Sequence, residues 1–272
     1  MIERHVTIIT ILLALLFAIP ASAGDRDAYG DILRRGTLRV GVSKDYPPLN
    51  FNAGERGVEI EMARRLASFL GARLEIVPLN VDEYAKAIED KRVDMVIAGF
   101  SRNLSRARKI WFSEPYLAVT PGVLASDRSL PRTRMGDTFE EPPFRTLWDL
   151  VRVPGFKIAV KSGTVYEQLL ESEFPNMPRV PVGTNEEGLD LLKKGEVNGF
   201  IHDSLYLEYV YLHEPGIRGT HVFLQGGGRT ERICVGLPFG DPVLKTQVDT
   251  FILEILRIGM LDKLLKEYGG AR

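Results

Sequence analysis

Four short apolar runs, each ending in small or polar residues and each separated from the next by helix-like sequence, leave this chain few folds. They are Leu38–Val42, followed by Ser43 to Tyr46; Met95–Gly99, followed by Phe100-Ser101 and on to Arg106; Ile158–Val160, followed by Lys161-Ser162-Gly163-Thr164; and Gly199–His202, followed by Asp203. Strands that alternate with helices build βαβ units and a mainly parallel sheet. In open α/β sheets the ligand crevice lies outside the carboxyl ends of the strands. A permanent cation, Arg106, and a permanent anion, Asp203, follow two such ends. That pair suits a zwitterion.

The chain opens on an address. Arg4 and His5 precede an apolar run from Val6 to Ile19, and Pro20-Ala21-Ser22-Ala23 ends in small residues. This is the plan of a secretory signal peptide, and it predicts cleavage after about Ala23 and a periplasmic protein. No later segment is apolar enough to span a bilayer. The formal net charge of −1 argues against nucleic acid or an anionic membrane as a partner. Cys234 is the one cysteine, so no internal disulfide is expected, and between Ile233 and Val235 it reads as a small buried residue. One cysteine and four histidines give a zinc site little to build on, and no cofactor is expected.

The helices are legible from their period. Asp31 to Gly36 reads as a short helix with a glycine stop. Gly57 opens a helix in which Met62, Leu66, Phe69 and Leu70 share a face, and Leu74 to Leu79 is a strand. Helices are expected over Tyr84 to Ile88, Tyr166 to Leu170 and Glu187 to Lys194, with a strand near Arg179 and a late strand from Ile233 to Leu237. Val248, Phe251, Ile252, Ile255 and Leu256 form an amphipathic stripe that must dock on a sheet. Residues 127–143 mix Pro, Arg, Asp and Glu without a period and read as an inserted surface loop.

These residues resemble the amino-acid-binding family 3 of periplasmic solute-binding proteins. Gly36 to Val42 with Asp45-Tyr46-Pro47-Pro48 is similar to its opening strand and aromatic loop. Gly57-Val58-Glu59-Ile60-Glu61-Met62 resembles its glycine-aromatic-acid signature, with Val58 in place of the aromatic. Val93 to Gly99, Ser101 to Arg106 and Phe112 to Tyr116 are the most specific block. Lys161 to Thr164, Gly195 to Gly199 (Asn198 standing where an Asp is usual) and His202-Asp203 match in the second half. The resemblance implies an α/β, two-lobed periplasmic-binding-protein fold of type II, with mainly parallel sheets and a two-strand hinge. Residues 1–23 are then the signal peptide, 24–118 and 228–272 a discontinuous first lobe, and 119–227 the second, with the insert near 127–143.

On this reading Arg106 holds a ligand carboxylate through paired charge-assisted hydrogen bonds, which Lys cannot copy. Ser101 adds a donor, and the Gly99 carbonyl accepts from the ligand ammonium. Asp203 meets the same ammonium from the other lobe while also capping the following helix. Tyr46 packs on the ligand. Lys161 and His202 resemble the glutamine-binding branch, but Ser43 replaces that branch's acid; Thr164, in the matching block after Lys161, is also expected to bind the ligand. Keeping the cation and losing the acid favours acidic or amide side chains over Lys, Arg or His. The expected role is binding of a free amino acid and delivery, by clamshell closure of a monomer, to the membrane permease of an ABC transporter. No enzymatic activity is expected. The alternatives are a periplasmic cyclohexadienyl (prephenate or arogenate) dehydratase on the same fold, a branch whose catalytic carboxyl position is Tyr206 here, and a protein that presents ligand to a sensor.

Overall fold

The computed structural model describes residues 27–131, 133–135, 138–140, 144, 146–226 and 229–269. The expected signal peptide lies outside the described residues. The chain opens on α1 (Ala28–Arg35), capped by the Asp27 carboxylate at 2.7 Å from the Gly30 amide and closed by Gly36 at φ +65°. The left-handed conformation there costs a glycine nothing.

The first sheet uses β1 (Thr37–Ser43), β2 (Arg73–Leu79), β3 (Met95–Val96), β4 (Trp111–Phe112) and a late strand, β14 (Gly236–Leu237). Their spatial order is β2-β1-β3-β14-β4. The first three strands are parallel, whereas β14 runs antiparallel to both its neighbours. α2 (Val58–Phe69) follows β1, and α3 (Tyr84–Glu89) follows β2. β5 (Leu117–Val119) then leads to β6 (Pro121–Ser126) in the second sheet.

The second sheet has the order β10-β9-β11-β6-β12, from β9 (Ile158–Lys161), β10 (Arg179–Val182), β11 (Gly199–Asp203) and β12 (His221–Gln225). β9, β10 and β11 are parallel, and β6 runs antiparallel to β11 and β12. Between them lie α4 (Val165–Glu173), α5 (Asn185–Lys194) and α6 (Ser204–His213). β13 (Glu231–Ile233) pairs with β5, so the two crossings between the sheets form a two-stranded ribbon of their own. α7 (Pro242–Arg257) and α8 (Met260–Gly269) complete the chain. The architecture is the two-lobed type II periplasmic-binding fold. No helix among the described residues is long and apolar enough to cross a membrane.

Each sheet is thus parallel on one side and antiparallel where a crossing segment enters. The expected late strand over Ile233 to Leu237 divides into β13 and β14 for this reason: one half serves the ribbon, the other the first sheet. Within 127–143 an aperiodic loop was expected, yet β7 (Thr133–Met135) and β8 (Thr138–Glu140) form an antiparallel pair. Three residues a strand is too short for a period to show in sequence.

α7 docks through Val248, Phe251, Ile252 and Ile255, all buried. Leu256 is exposed, as is Phe69 on α2, so both predicted stripes are wider than the faces that dock. Phe69 instead packs its ring 6.2 Å from that of Phe251. Cys234 is fully buried, and burial pushes its thiol up to about 11.

Candidate functional site

The carboxyl ends of β1, β3, β9 and β11 converge on one cavity of about 450 Å³, counting its open mouth. Ser43, Tyr46, Gly99, Ser101, Arg106, Lys161, Thr164 and His202 line it. The ninth residue, Asp203, does not; it lies behind Tyr46 and His202 with no exposed surface. A second depression, about 740 Å³ between Leu150 and Pro178, is larger but holds none of these residues.

Arg106 reaches the cavity from a loop rather than a helix. The Asn103 side chain accepts from the Arg106 amide at 2.9 Å, as at a helix start, but only a single 3-10 turn over Arg106–Arg108 follows. A turn that short supplies no macrodipole worth invoking, so the charge of Arg106 itself must hold an anion. Its guanidinium donates to the Ser101 carbonyl at 2.9 Å and, across the cleft, to the Gly163 carbonyl at 3.1 Å. It also lies 4.7 Å over the Phe100 ring. Burial pulls its pKa down, and among the described residues no carboxylate forms an ion pair with it.

Gly99 sits at φ +58°, and a Cβ there would come within 2.1 Å of the Tyr46 ring. Its amide donates to Glu59 Oε1 at 2.6 Å, and Tyr116 donates its hydroxyl to the same oxygen. Glu59 Oε2 is buried without a partner. Burial pushes the Glu59 carboxyl up to about 7 against the opposing pull of those two donors. Glu59 is one residue that sequence reasoning missed. Its signature position marked it as part of a motif, but nothing local shows that it supports the β3 loop.

Asp203 is internally satisfied. Tyr206 donates its amide to Oδ1 at 2.9 Å, and the Tyr46 hydroxyl donates to Oδ2. His202 Nδ1 lies 2.7 Å from Oδ2 and 2.9 Å from the Asp203 amide; it can donate to the first or accept from the second, not both. Burial pushes the carboxyl up, but His202, Tyr46 and the Tyr206 amide outweigh it and hold Asp203 below the ordinary value. The Tyr46 ring meets His202 edge-on at 5.0 Å and Tyr206 at 6.1 Å.

Lys161 ends β9 half-buried, and its ammonium makes no hydrogen bond or ion pair among the described residues. Burial lowers its pKa, and the nearby charge of Asp45 opposes this. Thr164 donates to the Lys161 carbonyl at 2.7 Å and caps α4. Ser43 is buried, with its hydroxyl 3.4 Å from the Asp45 carbonyl. Tyr84, Phe100 and Tyr166 also line the cavity and were not anticipated. Phe100 and Tyr166 stand within two positions of Ser101 and Thr164, which was the available signal for them. Among the described residues no three His, Cys, Asp or Glu side chains gather into a metal set.

The sequence profile of the bacterial extracellular solute-binding proteins, family 3, matches residues 38–271. Similar curated proteins include the L-cystine-binding protein TcyJ of Escherichia coli K12, 28% identical over 259 residues, which cover 92% of this chain and 89% of that one. Cyclohexadienyl dehydratase of Pseudomonas aeruginosa is 34% identical over 170 residues, covering 61% of this chain and 58% of the dehydratase. Membrane-bound lytic murein transglycosylase F of Idiomarina loihiensis is 28% identical over 278 residues, covering 98% of this chain but 57% of the transglycosylase. Among solved structures, the ancestral amino acid-binding protein AncCDT-1, described as a precursor of cyclohexadienyl dehydratase, superposes with a TM-score of 0.75 at 25% identity, covering 89% of this chain and 98% of that one. The expectation of no enzymatic activity is corrected here, because relatives of this chain include enzymes. The match over residues 38–271 places the chain in the bacterial extracellular solute-binding proteins, family 3.

Proposed function

We propose that this protein binds a free amino acid with an acidic or amide side chain in the cleft and hands it, by closure of the lobes, to the permease of an ABC transporter. The observation that carries this reading is the Arg106 guanidinium, half-buried on the cavity wall with no carboxylate ion-pair partner among the described residues. A partly desolvated cation without a counter-ion is costly, and a ligand carboxylate offsets that cost. The Gly99 carbonyl, at a loop bent tightly enough to need glycine, is the proposed acceptor for the ammonium. Asp203 becomes a second acceptor if Tyr46 turns away. Ser43, Ser101, Lys161, Thr164 and His202 complete the proposed contacts. Residues 24–118 with 228–272, and 119–227, are the proposed lobes of a periplasmic monomer whose first 23 residues are removed on export.

A thermal-shift screen of the twenty amino acids tests this. A ligand that binds only the folded state raises apparent stability by RT ln(1 + [L]/Kd). The reading predicts a shift with glutamate, aspartate or glutamine that Arg106→Ala abolishes. No shift with any amino acid would end it.

A second reading is an enzyme in the same cleft. It is favoured by the 34% identity over 170 residues to cyclohexadienyl dehydratase. Incubation with prephenate or arogenate, followed by product analysis, tests it. Product formation supports this reading, and no turnover removes it for those substrates.

A further inference from the structure

We propose that the cleft takes a dicarboxylate between Arg106 and Lys161, and that the ligand's α-amino group is dispensable. This rests on the reading of Arg106 as a carboxylate anchor.

The charges on the cavity wall do not balance. Arg106 and Lys161 are the cationic side chains that line it, one beyond β3 and one at the end of β9. Neither forms an ion pair among the described residues. Arg106 spends two N–H groups on carbonyls, and its remaining donors are free of protein partners among the described residues. Lys161 spends none on the protein. Both are half-buried, so each has lost part of its hydration with no carboxylate on the cavity wall to replace it.

The acids nearby are already committed or set back. Asp203 accepts from Tyr46 and the Tyr206 amide and lies against His202, with no surface left on the cavity. Glu59 is sealed behind Gly99 and bonded to it. Asp45 and Glu231 are close enough to act on Lys161 and Arg106 through their fields, but neither forms an ion pair with them or lines the cavity. A zwitterion of one carboxylate and one ammonium would therefore add a cation where no free carboxylate waits. A dianion instead satisfies both protein cations at once. Tyr166 lines the same cavity, and its hydroxyl has no hydrogen-bond partner among the described residues, which leaves a further donor for a carboxylate oxygen. Because the Tyr46–Asp203 contact joins the loop after β1 to the end of β11, keeping it intact lets a dicarboxylate bind without disturbing a contact between the lobes.

Calorimetric titration of the full chain tests the proposal. The probes are succinate, glutarate and adipate, each lacking an amino group, against L-aspartate, L-glutamate, L-glutamine and L-alanine. At least one dicarboxylate is expected to bind as tightly as L-glutamate or more so, and at least tenfold more tightly than L-alanine or L-glutamine. Lys161→Met should weaken that dicarboxylate at least tenfold, with thermal melts confirming a folded variant. If Lys161→Met does not fold, Lys161→Gln replaces it. Binding of L-glutamate with every dicarboxylate more than tenfold weaker overturns the proposal and leaves the amino-acid reading standing. Dicarboxylate binding with no amino acid bound supports the proposal and overturns that reading. No binding by any probe overturns both.

Discussion

Replacing Glu59 by glutamine should change how stability depends on pH more than it changes the fold. Glu59 is fully buried, and its carboxyl rises from an ordinary 4.5 to about 7. Between those values the folded chain holds a proton that the unfolded chain has released. Folding then takes up protons, so stability falls as pH rises. The contribution is whole below 4.5, declines by at most ~1.4 kcal/mol per pH unit, and is gone above 7. The interval amounts to about 3 kcal/mol, a large share of a typical ~5–15 kcal/mol stability. Glutamine keeps an oxygen to accept from the Gly99 amide and the Tyr116 hydroxyl, and it cannot ionise. Urea unfolding of both proteins from pH 5 to 8 gives the difference directly, and other titrating groups cancel in it. Glu59→Gln should gain on wild type by about 2 to 3 kcal/mol across that range, which omits the lowest part of the interval. Parallel stability curves from pH 5 to 8 would mean that Glu59 does not titrate there, and the argument from burial would fail.

Three further substitutions probe the same region and its support. Arg106→Ala should weaken ligand binding by ~2–5 kcal/mol, the usual loss when one partner of a buried charge pair is removed; calorimetric affinity within threefold of wild type contradicts it. Gly99→Ala puts a methyl 2.1 Å from the Tyr46 ring at a left-handed φ, so it should cost ~1–3 kcal/mol of stability and displace Tyr46, visible as altered near-ultraviolet circular dichroism. Ile252→Ala, fully buried on α7, should cost ~2–5 kcal/mol in denaturant unfolding without moving ligand affinity beyond the stability change.

The strand ends were legible because both their apolar runs and the residues after them are local. Eight of the nine candidate residues sit at or shortly beyond the ends of four such runs, so a rule about sheet edges was enough to gather them. Asp203 shows the limit of that reasoning. Its place at the end of β11 was readable, but the Tyr46 hydroxyl that occupies it comes from 157 positions away. No sequence period encodes a pairing across two lobes. β6 and β12 were missed altogether. β6 opens on Pro121-Gly122, and proline is tolerated at the first position of a strand, while Gly122 is needed where a Cβ would meet the Phe223 ring at 2.8 Å. The insert's hairpin, β7 and β8, was missed for want of length rather than of pattern.

The seat of β14 between β3 and β4 has a consequence for the order in which the chain can fold. The second sheet needs only residues 121–225, a contiguous stretch. The first sheet begins at Thr37 but is joined across its middle only when Gly236 and Leu237 arrive. A chain emerging N-terminus first therefore finishes its second sheet before its first. Until then β3 and β4 offer unpaired backbone edges, which are templates for mispairing. A chain stopped just short of residue 236 would keep one sheet complete and the other open, and aggregation from that open edge is the failure such a truncation should show.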